Sequence, residues 1–181
     1  MKFKITLKID RKYGDLLPFN YQYEQSAVIY RILAQADTQY SSWLHENGYL
    51  LHERKRFKLF CYSPFIFEKV RPLPEAGCLK IIGERAVWYI SFIPEKSTLE
   101  FIQGIFAHQS FSIGNKKYQV AFDVVGVEAI PMPQLSEEMA FVALSPICVK
   151  LHEDNKTQYL SPDNPMFAEG VLKGLMARYE S

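Results

Sequence analysis

Residues 21–63 read YQYEQSAVIYRILAQADTQYSSWLHENGYLLHERKRFKLFCYS, and the reading of this stretch decides which fold its neighbours can join. From Tyr23 to Ala36, the residues Val28, Ile29, Ile32, Leu33 and Ala36 recur at i, i+1, i+4, i+5 and i+8. That spacing is one apolar stripe of a helix. At about 100° per residue, Tyr30 falls well off the stripe, on a face it shares with Ala27 and Ala34. Asp37 can cap a second short helix, Thr38 to Glu46, by accepting from its first free N–H groups, and Gly48 can stop it. The apolar set of that helix is Tyr40, Trp43 and Leu44, with His45 beside it in the last turn. Arg54, Lys55 and Arg56 then lead into a strand expected over Phe57 to Tyr62.

Outward from this stretch the pattern changes period. Lys2 to Lys8 alternates strictly, with Phe3, Ile5 and Leu7 on one face and Lys4, Thr6 and Lys8 on the other, as a half-buried strand does. Asp10 to Asn20 carries Gly14 and Pro18 and reads as a loop. Downstream, Gly77 and Gly83-Glu84 punctuate two strands, Cys78 to Ile82 and Ala86 to Ile93, which read as a hairpin. The second of these is apolar on both faces, which suits a central strand. Ser97-Thr98-Leu99-Glu100 fits a capping box, ahead of a helix with Leu99, Ile102, Ile105 and Phe106 on one stripe. Gly114-Asn115 turns a hairpin into a strand on which Tyr118, Val120, Phe122 and Val124 alternate.

The order is therefore strand, helix, strand, strand, helix, strand. This is the α+β ferredoxin-like (RRM-like) βαββαβ arrangement, expected over residues 1–130. Ile130-Pro131-Met132-Pro133 is a linker. Over residues 131–181 a second such domain is expected to begin, with strands Met139 to Leu144 and Ile147 to Leu151. Asp163-Asn164-Pro165 then starts a helix carrying Phe167, Val171, Leu172 and Leu175. The sequence ends just past that helix, so the second domain is expected to be incomplete.

Composition narrows the function classes. Apolar residues at 48% and charged residues at 23% match a soluble globular protein. The net charge of +1 provides no field over the whole molecule, so a site for a polyanion must be a local patch. No run approaches the roughly 18 apolar residues of a membrane span, and the start has no signal-peptide pattern. Cys61, Cys78 and Cys148 are unclustered, and the four histidines form no metal motif. A reducing cytoplasm with no structural metal and no cofactor is the expectation. Aromatics at 14% serve either a core or a surface on which bases stack.

Tyr30, His45 and the basic run are the side chains that metal-free RNA cleavage would use. There the 2′-OH of the RNA attacks its own phosphate, so one group must take that proton and another must protonate the departing 5′-oxygen. A cation stabilises the charge on phosphorus. Histidine suits either proton role, tyrosine can donate or orient, and lysine suits the charge role. Arg54, Lys55 and Arg56 could grip phosphates. Each has an ordinary alternative: a surface histidine, an exposed tyrosine, a solvated lysine at Lys58, a charged loop. His52 rivals His45, while His108 and His152 read as structural or solvated. Lys69, Arg71, Lys116 and Lys117 are weaker phosphate candidates, and Cys61 reads as core.

A set of segments, in order along nearly the whole chain, carries a resemblance. They are FKITL, LPFNYQYEQSAVIY, WLHE, RFKLFCYS, FVALSPICVK and YLSPDNPMF. Together they resemble the CRISPR-associated endoribonucleases of the RAMP superfamily that cut precursor CRISPR RNA at each repeat. The resemblance implies two ferredoxin-like domains in tandem. It also implies a metal-independent Tyr–His–Lys set that leaves a 2′,3′-cyclic phosphate and a 5′-OH. It maps that set onto Tyr30, His45 and Lys58, demoting His52, and makes repeat RNA the partner, with other CRISPR-associated proteins as further partners. The alternative is a non-catalytic CRISPR RNA-binding subunit on the same fold; a third reading is a domain for protein contacts only. One departure stands out: the family closes with a glycine-rich GxGxxxxGFG loop that contacts RNA, and this sequence has none. A fragment of a longer protein is expected in preference to a shortened homologue.

Overall fold

Strand β1 (Lys2–Asp10) keeps its alternation, with Phe3, Ile5, Leu7 and Ile9 buried and Lys2 and Lys8 exposed. The structure is a computed structural model describing residues 1–51, 55–134, 136–143, 145–153 and 156–179. The chain divides into one unit of Met1–Glu46 with Phe60–Gln134 and another of Asn47–Leu59 with Leu135–Ser181. With elements numbered along the chain, the first unit holds β1, β2 (Leu16–Pro18), α1 (Gln22–Ala36) and α2 (Thr38–Glu46). It continues through β5 (Phe60–Tyr62), β6 (Ile66–Phe67), β7 (Val70–Leu73), β8 (Cys78–Ile81) and β9 (Arg85–Phe92). It closes with α3 (Glu95–Ala107), β10 (Ser110–Gly114) and β11 (Gln119–Ile130).

The main sheet of this unit runs β10-β11-β1-β9-β5, with β6 also on β9, and every neighbouring pair is antiparallel. Taking β1, β5, β9 and β11 as the four strands of a βαββαβ unit gives the order fourth, first, third, second. That order, with helices α1 and α3 in their expected places, is consistent with a ferredoxin-like arrangement. One face of each central strand is apolar, so the sheet must be covered on that side. Trp88, Ile90 and Phe92 of β9 are buried, and Phe101 of α3 packs on Phe92 at 4.9 Å between ring centroids. Gly104 lets α3 close onto α1: a Cβ there would lie 1.9 Å from the carbonyl oxygen of Ile32.

Several local expectations are corrected. The strand expected over Phe57 to Tyr62 is two strands: Leu59 adopts φ +53, in the left-handed region, and breaks it. Lys58 lies at that break, between β4 (Lys55–Phe57) and β5, and not within a strand. Cys78–Ile81 and β9 are not a hairpin. Strand β8 pairs with β2 and β7, and β9 pairs with β1, β5 and β6. The glycines mark the turn correctly but cannot say which strand each arm will find. The capping box is absent because α3 starts earlier, with Pro94 ahead of its first turn. The Ser97 hydroxyl instead bonds the Tyr40 hydroxyl. The buried face of α3 is Phe101, Gly104 and Ile105, while Leu99 and Phe106 are exposed.

The described part of the second unit pairs β3 (Tyr49–Leu51) with β4, and β12 (Val149–Glu153) with β13 (Lys156–Leu160), both antiparallel. Helix α4 (Pro165–Tyr179) follows, its first turn held by the Asn164 side chain, which accepts from Met166 N–H at 2.9 Å. Gly170 lies against Val149 of β12, where a Cβ would come within 2.4 Å of the valine side chain. Residues 139–143 are irregular, not the strand the alternation suggested.

Candidate active site

The joint between α1 and α2 positions Tyr30 and His45. Asp37, between the helices, accepts from Tyr40 N–H at 2.8 Å, the N-cap its sequence position predicts. Its carboxyl titrates below the usual range, first because of that hydrogen bond and also through Lys96, 3.2 Å away. Lys96 also sits 4.7 Å from the Tyr40 ring centroid, and with the Tyr40–Ser97 bond it fastens the joint to α3. The buried Ser41 hydroxyl donates to the backbone carbonyl of Tyr30 at 2.8 Å. The first turn of α2 is thus tied to the backbone of Tyr30.

Tyr30 and His45 meet. Their ring centroids are 4.9 Å apart with planes at 84°, an edge-to-face contact. Tyr30 is half-buried and His45 is exposed. Behind Tyr30 stands Phe60 of β5, at 5.8 Å and 76°, which packs in turn on Phe92 and on Tyr62. The Tyr62 hydroxyl donates to the Gln22 carbonyl at 3.1 Å, tying this strand to the start of α1. Burial pushes the Tyr30 hydroxyl above its ordinary value, and Tyr62 adds to the shift. Tyr30 therefore presents an O–H at neutral pH and can donate or orient.

Lys58 belongs to the second unit. Its stem runs along Gly48, where a Cβ would fall 3.2 Å from Lys58 Cδ and 2.7 Å from the Phe57 carbonyl oxygen. Gly48 also has φ +68, so glycine serves here both as a left-handed residue and as space for the lysine. Partial burial, then the charge of Arg56, lowers the Lys58 amine from its ordinary value. Arg56 is exposed and donates to Asn47 Oδ1 at 2.9 Å. The Lys55 backbone pairs with Leu51 in β4. Arg54, and the rival His52, lie outside the described residues.

The remaining candidates have other places. His152 bonds Thr157 Oγ1 at 2.7 Å on the β12–β13 hairpin, and His108 follows α3. Cys61, expected in the core, is exposed, because its neighbours Phe60 and Tyr62 take the inner side of β5. Sequence reasoning missed Phe60, Ser41 and the second role of Gly48. The shared strand face of Phe60 and Tyr62 could have flagged the first, but nothing local announces the other two.

Residues 16–123 match the family described as CRISPR-associated protein Cas6, N-terminal, and residues 130–181 match its C-terminal counterpart. Among curated relatives, the CRISPR-associated endoribonuclease Cas6 1 of Methanocaldococcus jannaschii is 27% identical over 182 residues, covering 98% of this chain and 66% of that protein. Among solved structures, a Cas6-related protein from Pyrococcus furiosus superposes with TM-score 0.79 at 25% identity, covering 99% of this chain and 69% of that one. Another, described as a RAMP protein binding different RNA substrates, gives TM-score 0.76 at 26% identity, covering 99% and 70%. The chain spans about two thirds of the length of the relatives it matches.

Proposed function

The chain belongs to the Cas6 family of CRISPR-associated proteins, and from that premise we propose that the protein is a cytoplasmic, metal-independent endoribonuclease cutting precursor CRISPR RNA within its repeats. The observation that carries this reading is the edge contact of Tyr30 with the exposed His45 ring. The 2′-oxygen of the nucleotide before the cut attacks the adjacent phosphorus, and the imidazole of His45 takes its proton. As the P–O5′ bond breaks, the Tyr30 O–H supplies the proton that the leaving oxygen needs, and Tyr30 recovers it from solvent. The raised Tyr30 hydroxyl supports this division of labour, because a phenolate base would require the opposite shift. Lys58, two residues before Phe60 in the chain, stabilises the charge on the pentacovalent phosphorus. Arg54, Lys55 and Arg56 grip the flanking phosphates. The products are a 2′,3′-cyclic phosphate and a 5′-OH.

The test uses the full-length protein and a repeat RNA with a single 2′-deoxy substitution at the cut. Cleavage should stop on that substrate and should be undiminished by EDTA on the all-ribose RNA. Cutting of the deoxy substrate, or a requirement for Mg²⁺, defeats the mechanism. His45→Ala should lower the single-turnover rate by roughly 10²–10⁴ while RNA affinity holds. Processing at the normal rate by that variant would remove His45 from the chemistry, and wild-type protein that binds the all-ribose repeat RNA without cutting it would leave only an RNA-binding role on the same fold.

A further inference from the structure

A cleft opens in the first unit, on the flank of α1 away from Tyr30. At about 100° per residue, Arg31 turns off the Tyr30 face, and its guanidinium donates to the Ser112 carbonyl of edge strand β10 at 3.0 Å. Between α1, β10 and the turn after β1 the cleft measures 330 Å³, near the lower end of ligand-sized pockets. The buried side chains of Val28, Ile32 and Ala121 line it, with Phe111 beside them. Its rim carries Tyr13, Lys12, Arg31 and His108. Tyr13 is 51% exposed, and the Lys12 ammonium sits 5.2 Å from its ring centroid. Two carboxylates also line the cleft. Asp10 accepts from Lys12 N–H at 3.0 Å and Asp123 from Ser110 Oγ at 2.8 Å.

This combination is selective. A bare phosphate would meet two carboxylates, and a purely apolar ligand would strip water from six charged or titratable groups. An aromatic face, cations on the rim and acceptors within reach of ring N–H groups suit a ligand with a flat base at one end and a phosphate at the other. We propose that the cleft holds one unpaired nucleotide of the bound RNA, outside the cut. Its base stacks on Tyr13, its polar edge meets Asp10 and Asp123, and its phosphate lies by Lys12 and Arg31. The site rests on the endoribonuclease reading and adds a grip on the single strand on the far side of α1 from the cut.

The experiment measures binding of the uncleavable 2′-deoxy repeat RNA to the full-length protein. Tyr13 and Lys12 are exposed, so the double variant Tyr13→Ala, Lys12→Ala should fold. It is expected to bind roughly tenfold more weakly, the loss of one stacked base, whereas Tyr13→Phe keeps wild-type affinity because the ring remains. A 4-thiouridine walked along the RNA should cross-link to the Tyr13 peptide from a single position away from the cut. Wild-type affinity in the double variant overturns the site. If a free nucleoside monophosphate occupies the cleft while that variant keeps its RNA affinity, the ligand is a soluble nucleotide and the proposal is overturned. Wild-type protein that fails to bind repeat RNA at low salt overturns the endoribonuclease reading itself, and the cleft's role with it.

Discussion

Tyr30 combines two properties that pull on its proton in one direction. It is half-buried against Phe60, and Tyr62 stands close enough to oppose a second negative charge. In the folded protein the hydroxyl therefore holds its proton to a higher pH than in the unfolded chain, where it titrates near about 10. Its contribution to stability is fully present below that pH and is lost as pH rises through the folded value. Tyr30→Phe should flatten the alkaline decline in stability, read as the urea midpoint between roughly pH 9 and 11. Tyr21, also raised by burial, will keep part of the decline. An unchanged slope would mean that Tyr30 ionises as freely folded as unfolded. How far the residue was legible follows from the same facts. The helical period alone put Tyr30 off the core stripe, but it could not supply Phe60, which arrives from a strand 30 residues later.

The α1–α2 joint and the α1–α3 contact fix where the Tyr30 and His45 rings stand, and each rests on one small residue. At Gly104 an added methyl would collide with the Ile32 carbonyl, which is backbone and cannot swing aside. Gly104→Ala should thus destabilise by roughly 1–3 kcal/mol, and an unchanged urea midpoint would show that the helices can part without cost. Ser41 has a different role. Removing its hydroxyl leaves the Tyr30 carbonyl without that donor and costs about 1 kcal/mol, but it also unties α2 from the residue it positions. Ser41→Ala should therefore slow cleavage by more than its stability loss accounts for, at a temperature where the variant stays folded. Equal rates for variant and wild type would separate the bond from the chemistry. The α1–α2 boundaries were readable because Asp37 acts locally, accepting an N–H three residues on. The start of α3 was not, because Ser97 serves a tyrosine 57 residues away instead of its own helix end.

Across the whole molecule, the candidate groups come from both units, with Tyr30 and His45 in one and Arg56 and Lys58 in the other. The sequence hid this division. Phe57 to Tyr62 is an unbroken strand pattern, and a leucine at 59 carries no local sign of the left-handed turn it makes. Charge was read more directly. With a net charge of +1, long-range attraction to RNA is weak, and the proposed RNA binding would rest on a few close phosphate contacts. Arg54, Lys55, Arg56 and Lys58, with the phosphate beside Lys12 and Arg31, would together displace counterions from about five phosphates, giving a slope of log K against log salt of about −3.5 for a single strand. Arg56→Ala should make that slope shallower by about 0.7, the share of one phosphate, and weaken binding to unrelated single-stranded sequences to a similar degree. Titrations with uncleavable RNA between roughly 50 and 200 mM salt measure both. A slope two or three times steeper would point to a basic surface spread well beyond this run. A slope that Arg56→Ala leaves unchanged would instead confine Arg56 to its bond with Asn47, making it a brace for the Lys58 turn and not a hand on the RNA.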